Sequence, residues 1–482
     1  MNPAPQRVRG FLRKEVVWVK KRRLVFLFAI CSFFLISSLT FSAVNNIKIS
    51  GDITAQAITR DLSLGLGATK LLPLFTTESA KDSEDFLLLQ TRLRFDADLT
   101  ENVSAVVQLI NERLWGEENN ANTDIDLDLA YFTLKEMISP HLTLTIGRQP
   151  LRFGNAFIVG DPDTNRSVSS ASGLYRVADD LSLRKGFDAI RANLDYDNFI
   201  LDLIYAVINE SSTNIADDVS LYGVNARYLP DETILYELYF FAKDKDYDTY
   251  NSSLLGPTTL QDEENKVYCL GTHIKKDFSE KLTLNFEVAH QFGDYRDGSG
   301  LHAQRDAWAG QLGLDYKLLN KAYSILGFWY TFLSGDGDQY SSATGSAGST
   351  YTAWDPMFED QTGGELINLI LPHTNSHTIN LYFFTYLRKN LNMLIKYTHQ
   401  RLVKNHFSDR YAIAEGPAYG NYYYLDRSSK HLGDEIDLKL TYDYSENTQF
   451  ILDSGVFIPG GLLASENDNT AYMVRLSAKV NF

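Results

Sequence analysis

"QTRLRFDADLTENVSAVVQLINERL", residues 90–114, holds two runs of alternating character joined by three residues, "TEN". In the first run Gln90, Arg92, Arg94 and Asp96 fall on one face of an extended chain, and Leu93 and Phe95 fall on the other. A period of two marks a strand that separates two environments. One face needs a nonaqueous neighbour; the other needs water or ionic partners. The tight link makes the two runs antiparallel neighbours.

This unit recurs along the chain. About eighteen alternating runs can be read, from 48–60 and 86–99 through 142–153, 234–243 and 308–318 to 472–482. No stretch after Asn46 has helical periodicity. The links alternate in length. Eight are short, such as "SPH" at Ser139, "DYDN" at Asp195, "PDE" at Pro230 and "SEN" at Ser445. Nine are long, among them about 61–85, 154–186, 334–376 and 404–434. A soluble sandwich has no reason to sort its loops by length, but a barrel across an outer membrane does, with short periplasmic turns and long external loops. The fold class is therefore all-β: a transmembrane, antiparallel, up-and-down β-barrel of about 18 strands, with both termini in the periplasm. Outward phase falls on Leu93 and Phe95, on Tyr236, Leu238 and Phe240, and on Leu312, Leu314 and Tyr316. Inward phase falls on Glu237, Gln311, Asp315 and Lys317. A barrel of this size encloses water.

Composition fits that reading. The chain has 482 residues with 28 Tyr and 28 Phe, yet apolar residues are spread singly rather than in long runs. The exception is "LVFLFAICSFFLISSLTFSA", 24–43, preceded by "KKRR". A basic segment, an apolar run and small residues describe a signal peptide. A retained anchor is the rival, but strand-like "NNIKISGDITAQAITRD" follows at once. The domain plan is a signal peptide over 1–43 and one barrel over 44–482, exported to the bacterial outer membrane. Formal net charge is −16, which disfavours nucleic acid. Two cysteines, Cys31 and Cys269, allow neither a disulfide framework nor a cysteine zinc site in the exported part.

The inward phase assigns a lumen. Cations near mid-height are Arg92, Arg148, Arg191, Lys439 and Arg475, from the strands flanking closure, with Arg94, Arg152 and Lys479 along the same faces. Asp202, Glu237 and Glu287 come from strands 7, 9 and 11, and Asp453 is an exception among the basic strands. One wall is thus expected to be basic and the facing wall acidic, a field that orients a charged solute. The bland alternative is that these charges pair with neighbours and stiffen the wall. In "LTLTIGRQPLRFG", 142–154, the outward phase of Leu142, Leu144 and Ile146 would carry Arg148 into lipid. A bulge at Gly147 is expected to turn Arg148 and Arg152 inward and Leu151 and Phe153 outward.

Enzyme signatures are missing: there is no GxSxG with a plausible triad, no HExxH and no phosphate loop. The nine His are scattered, and "GDGDQY", 335–340, lacks the rest of a calcium loop. No cofactor or metal is expected. The aromatics of "TAWDPMF", 352–358, and "GPAYGNYYYLD", 416–426, suit either stacking on sugar rings or a lid packed over the pore mouth, and the lid is the expectation.

"IGRQPLRFGNAFIVGD", 146–161, and "VSLYGVNARYLPDETILYELYFFAKDKD", 219–246, are similar to the alginate export family of outer-membrane porins. The resemblance rests on Gly147, Arg148, Gln149, Phe153 and Gly154, and on Tyr222 and Gly223 with Tyr236 and Tyr239. It implies an 18-stranded monomeric barrel with an arginine-lined pore for a polyuronate. The terminal Phe482, expected to face lipid at the periplasmic rim, resembles the signal read by the barrel-assembly machinery. The expected function is a passive channel for an anionic small molecule or polysaccharide, alginate or another uronate polymer by resemblance. The alternative is a surface binding or adhesion barrel with a plugged pore.

Overall fold

The computed structural model describes residues 46–62, 64, 84–116, 125–162, 181–209, 219–248, 262–296, 302–337, 349–361, 363–370, 373–404, 412–416, 421–426, 428–463, 465 and 468–482. The segment read as a signal peptide lies outside them.

Eighteen strands form the wall. The first nine are β1 (Asn46–Asp61), β2 (Glu84–Thr100), β3 (Val103–Leu114), β4 (Asp126–Lys135), β5 (Leu142–Pro150), β6 (Gly186–Tyr196), β7 (Phe199–Asn209), β8 (Val219–Asp231) and β9 (Ile234–Asp248). The second nine are β10 (Asp262–Asp277), β11 (Leu282–Arg296), β12 (His302–Lys317), β13 (Ile325–Leu333), β14 (Ser376–Arg388), β15 (Leu391–Leu402), β16 (His431–Asp443), β17 (Thr448–Pro459) and β18 (Ala471–Asn481). Each pairs antiparallel with the next. β18 closes on β1 from Asp52↔Asn481 to Asp61↔Tyr472. Closure satisfies every strand edge, as a lipid-facing sheet requires.

The outer face is apolar where the alternation places it, with Tyr236, Leu238 and Phe240 all exposed. Exposed aromatics gather beside the short turns, among them Tyr196, Tyr228, Tyr236, Tyr316, Tyr323 and Tyr444. Tyr268, Phe292 and Trp308 form a second outward group toward the loop ends of β10–β12. Two aromatic belts are the mark of a membrane-spanning wall. Phe482 belongs to the turn-side belt. Its backbone exchanges both hydrogen bonds with Gly51, and its ring lies where a Gly51 Cβ would stand (2.7 Å).

The turns are built locally. In the β6–β7 link Asp197 adopts φ 63°, and its N–H donates to Asp195 Oδ1 (3.0 Å). A short polar side chain tolerates that conformation and caps the turn itself. Residues Ala412–Gly416 and Asn421–Leu425 pair as a separate hairpin. Residues 405–411, 417–420 and 427 of the 404–434 loop, which include part of the predicted lid "GPAYGNYYYLD", lie outside the described residues.

Candidate pore constriction

Two connections fold inward instead of covering the mouth. Residues 151–161, after β5, form a short strap. Residues 353–361 and 363–370, between β13 and β14, form a long strap. They meet where Val159 pairs with Phe358, and the Phe157 and Trp354 rings stack (5.9 Å). Leu151, Phe153, Phe157 and Phe358 are buried against inward side chains of β6–β13, including Phe187, Tyr239, Phe241 and Leu333. The far end of the long strap, Leu366 and Ile367, is buried in a second apolar cluster with Ile58, Leu432, Phe457 and Met473. The long strap therefore crosses from the β6–β13 wall to the β16–β18 side. "TAWDPMF" belongs to this crossing, so the expectation of a lid at the mouth is corrected. Asp336 of "GDGDQY" is buried and accepts the Thr352 N–H at the strap's entry (2.8 Å).

Carboxylates from the wall hold the straps by their backbone. Gly154 N–H donates to Glu237 Oε1 (3.2 Å), and Asn155 N–H donates to Glu287 Oε2 (3.0 Å). Tyr239 O–H donates to Glu287 Oε1 (2.8 Å). Leu366 and Ile367 N–H both donate to the Glu435 carboxylate (2.8 and 2.7 Å). Glycines lie close against these carboxylates: a Cβ at Gly154, which adopts φ +56°, would meet Glu287 Oε1 at 2.6 Å, and one at Gly364 would meet Glu435 Oε2 at 2.4 Å, so either would displace the carboxylate. Glu237 and Glu287 were assigned to the solute path from sequence; both are buried and face the short strap instead.

Within the long strap, burial works against the Asp355 carboxyl, but Lys243 and Arg305 hold it down to about 2. Burial likewise opposes ionisation of Asp360, and Lys185 and Arg152 bring it below its usual value. Arg152 and Lys185 both reach Asp360, so Arg152 lies inside the barrel, clamping one strap to the other. Burial pushes Glu359 up to about 8 and His373 down to about 4, and the two approach to 3.6 Å.

Other wall charges form ion pairs. Arg92 binds Asp52 across strands (2.8 Å), and Arg94 binds Asp96 two residues further along the same strand (2.8 Å). Arg191 binds Asp202 (2.8 Å), which Arg227 also reaches (3.4 Å). Lys439 and Arg475 share Asp453 (3.3 and 2.9 Å). Lys479 extends the same inner face of β18 toward the turns. Basic and acidic groups therefore alternate around the wall, and the expected division into a basic half and an acidic half is not found. The pairs on Asp202 and Asp453 are nevertheless lopsided, whereas in Arg94–Asp96 the carboxylate is the more exposed partner (36% against 31%). The Asp202 side chain is 0% exposed against 29% for Arg191, and that of Asp453 is 5% exposed against 43% for Lys439. The carboxylates sit down in the wall and the cationic heads stand over them.

Arg148 is the exception. Register runs unbroken from Leu142 to Pro150 against β6 and from Thr143 to Arg148 against β4, so no residue is inserted at Gly147. The bulge lies on β4 instead, where Gln108↔Leu129 is followed by Leu109↔Leu127. Gly147 is still special, with φ +118°. Arg148 keeps the outward phase of Ile146 and pairs with Asp188 at the loop end of the β5–β6 hairpin (3.1 Å). Its desolvation is avoided by that partner and by height, not by rotation into the lumen. Leu151 and Phe153, expected in lipid, are strap residues.

Beneath the long strap lies a cavity of about 140 Å³, lined in part by Trp329, Tyr382, Asn380, Gln311, Gln361 and Lys396. Trp329 lies flat over Gly313 and Tyr382 over Gly327, where a Cβ would strike the rings at 2.5 and 1.9 Å. Trp329 Nε1–H and Tyr382 O–H both donate to Asp315 Oδ1 (3.3 and 2.6 Å), which fixes the ring planes. Two flat ring faces, three amides and an ammonium thus share one space. Sequence reading placed Asp315 inward but gave these rings no role.

A closed 18-stranded wall with two aromatic belts and loops folded into its lumen defines an outer-membrane porin. Solved barrels share this fold. Pseudomonas aeruginosa OccK11 (OpdR) superposes with a TM-score of 0.53 at 10% identity, covering 91% of this chain and 96% of that one. Pseudomonas aeruginosa OccK8 (OprE) gives 0.53 at 11% identity, covering 91% and 98%. Acinetobacter baumannii OccAB2 gives 0.52 at 12% identity, covering 92% and 99%. No curated protein matches the chain in sequence. The sequence profile described as alginate export matches residues 73–476, and the chain belongs to that family. It is a porin of the bacterial outer membrane.

Proposed function

We propose that this porin is a passive, monomeric channel selective for anionic solutes, with uronate-type saccharides as its solute class. The observation that carries the reading is the lopsided ion pair. Carboxylates buried in the wall and cations standing over them present a positive surface, although acids and bases are both abundant. A positive lining enriches anions and lowers their entry barrier without energy coupling. The family membership supports a uronate solute. So does the cavity, where Lys396 suits a sugar carboxylate, the amides suit hydroxyls, and the Trp329 and Tyr382 faces suit a pyranose ring. The reading assigns no catalytic step. We further assign Phe482, outward at the turn-side rim, to recognition by the barrel-assembly machinery.

Planar-bilayer recording tests the proposal. The wild type is expected to conduct with anion preference. Arg191→Ala, which leaves Asp202 short of a partner, should lower the anion-to-cation permeability ratio by at least about twofold, and Asp453→Asn, which releases Lys439 and Arg475, should raise it. Oligouronates should block the current more strongly than neutral oligosaccharides of equal length. The straps favour one rival reading, a binding barrel with a plugged pore. Absence of conductance would establish that rival, and conductance indifferent to both substitutions would reject anion selectivity.

A further inference from the structure

The loop end of the β15–β16 pair carries a constellation that the porin function does not use. In a regular strand, residues three apart point to opposite faces. His431 and Asp434 nevertheless share the outer face. The register passes from Gln400↔Gly433 to Arg401↔His431, which leaves Leu432 as an extra residue. That bulge turns Leu432 into the buried cluster beside Leu366 and re-aims His431. His399 stands directly opposite Asp434 on β15.

Three donor groups therefore converge, all within 4.8 Å of one another. His399 Nδ1 lies 2.9 Å from Asp434 Oδ1, and His431 Nε2 lies 3.1 Å from Asp434 Oδ2. The second approach is not a hydrogen bond. His431 Nε2 is closed off from solvent and has no hydrogen-bond partner. A neutral imidazole whose Nε2 lone pair faces a carboxylate oxygen at that distance is repelled by it, and protonation of the ring or a bound cation relieves the repulsion. Donors about 2.0–2.2 Å from a tetrahedral ion stand roughly 3.3 Å apart, close to both separations. Tyr397 O–H donates to Asp434 Oδ1 (2.6 Å), the kind of outer contact that orients a metal-binding carboxylate.

We propose that His399, His431 and Asp434 bind one divalent transition-metal ion of the zinc type at the external rim. Two imidazoles and one carboxylate select such an ion over calcium or magnesium, which prefer oxygen. The ion clips β15 to β16 at the base of the connection between them. Alternation alone carries no hint of the site, because His431 and Asp434 share a face only after the bulge forms.

Isothermal titration of zinc into tag-free, chelator-stripped protein in detergent tests this. One saturable site per chain is expected. His431→Gln and Asp434→Asn should each weaken binding by more than about tenfold, Tyr397→Phe should weaken it less, and excess calcium should not compete. Heat-dependent gel mobility reports whether each barrel is folded. If His431→Gln does not fold, His399→Gln carries the same expectation. No saturable zinc binding, binding unchanged in folded variants, or equal competition by calcium would each overturn the site.

Discussion

Glu435 and Asp453 stand on adjacent strands, both on the inner face and both buried, yet they hold different things. Asp453 binds two cations of the wall, Lys439 and Arg475. Glu435 accepts two backbone N–H groups of the long strap. The same division separates Asp202, which holds Arg191 and Arg227, from Glu287, which holds the short strap. The difference teaches that acid content in a lumen does not measure its repulsion of anions. A carboxylate sunk beside guanidinium groups tunes the lining; one committed to backbone donors builds the constriction. Neither presents bare negative charge to the pore.

The comparison breaks most visibly at the straps. Glu435→Ala removes the acceptor of two buried N–H groups and leaves them unsatisfied, a loss of about 2–4 kcal/mol. The seated-to-unseated ratio of the long strap should fall by at least about tenfold. Single-channel conductance should rise severalfold, with frequent closures. Glu287→Ala should act in the same direction but less, since Glu237 still accepts Gly154 N–H. Unchanged conductance in both variants would mean that the straps are held by apolar packing alone.

A smaller effect comes from within the long strap. Glu359 is pushed up to about 8 from 4.5 by burial, so the seated strap holds its proton more tightly than the released one. Its contribution to seating is complete below about 4.5 and is lost as pH rises through 8. His373, pushed by burial down to about 4 from 6.5, acts oppositely: its contribution is present above 6.5 and is lost as pH falls through 4. Current noise should be lowest near about pH 6 and grow toward both limits. Glu359→Gln should abolish the alkaline limb and leave the acid limb, because an amide cannot ionise. An alkaline limb that survives the substitution would assign it elsewhere.

Much of this architecture was legible. Alternation placed Leu238 and Phe240 outward and Arg92, Arg191 and Arg475 inward, because a strand's period is fixed by its backbone. Loop lengths gave the strand count. The straps were not legible as straps, although a signal existed. Phe187 with Ala189, Ile204 with Ala206, and Tyr239 with Phe241 put apolar side chains on inner faces near the loop ends. A wholly wet lumen has no use for them; something apolar must pack there. What sequence cannot supply is the partner, since Phe157, Trp354 and Phe358 lie far away in the chain. The basic and acidic halves failed for a related reason. The alternation assigns Arg191 and Asp202 to opposite walls, yet they bind each other diagonally across one β-hairpin.

The smallest effect is the most exact test of the faces. Arg148 and Arg191 sit on adjacent strands, and the chain alone suggests a pore role for both. Arg191 stands over buried Asp202 on the inner face, whereas Arg148 pairs with Asp188 on the outer one. Arg148→Ala should therefore leave ion selectivity unchanged while Arg191→Ala shifts it. Its side chain is 30% exposed and that of Asp188 is 59% exposed, so the pair contributes only about 0–1 kcal/mol to stability. The residue before it should matter more. Gly147 adopts φ +118°, and a Cβ there would stand 2.2 Å from the Ala130 carbonyl oxygen. Gly147→Ala should thus lower thermal stability in detergent by about 1–3 kcal/mol, measurably more than loss of the arginine. If Arg148→Ala shifts selectivity as far as Arg191→Ala does, β5 presents its arginine to the lumen after all, and the unbroken register assigned to that strand is wrong.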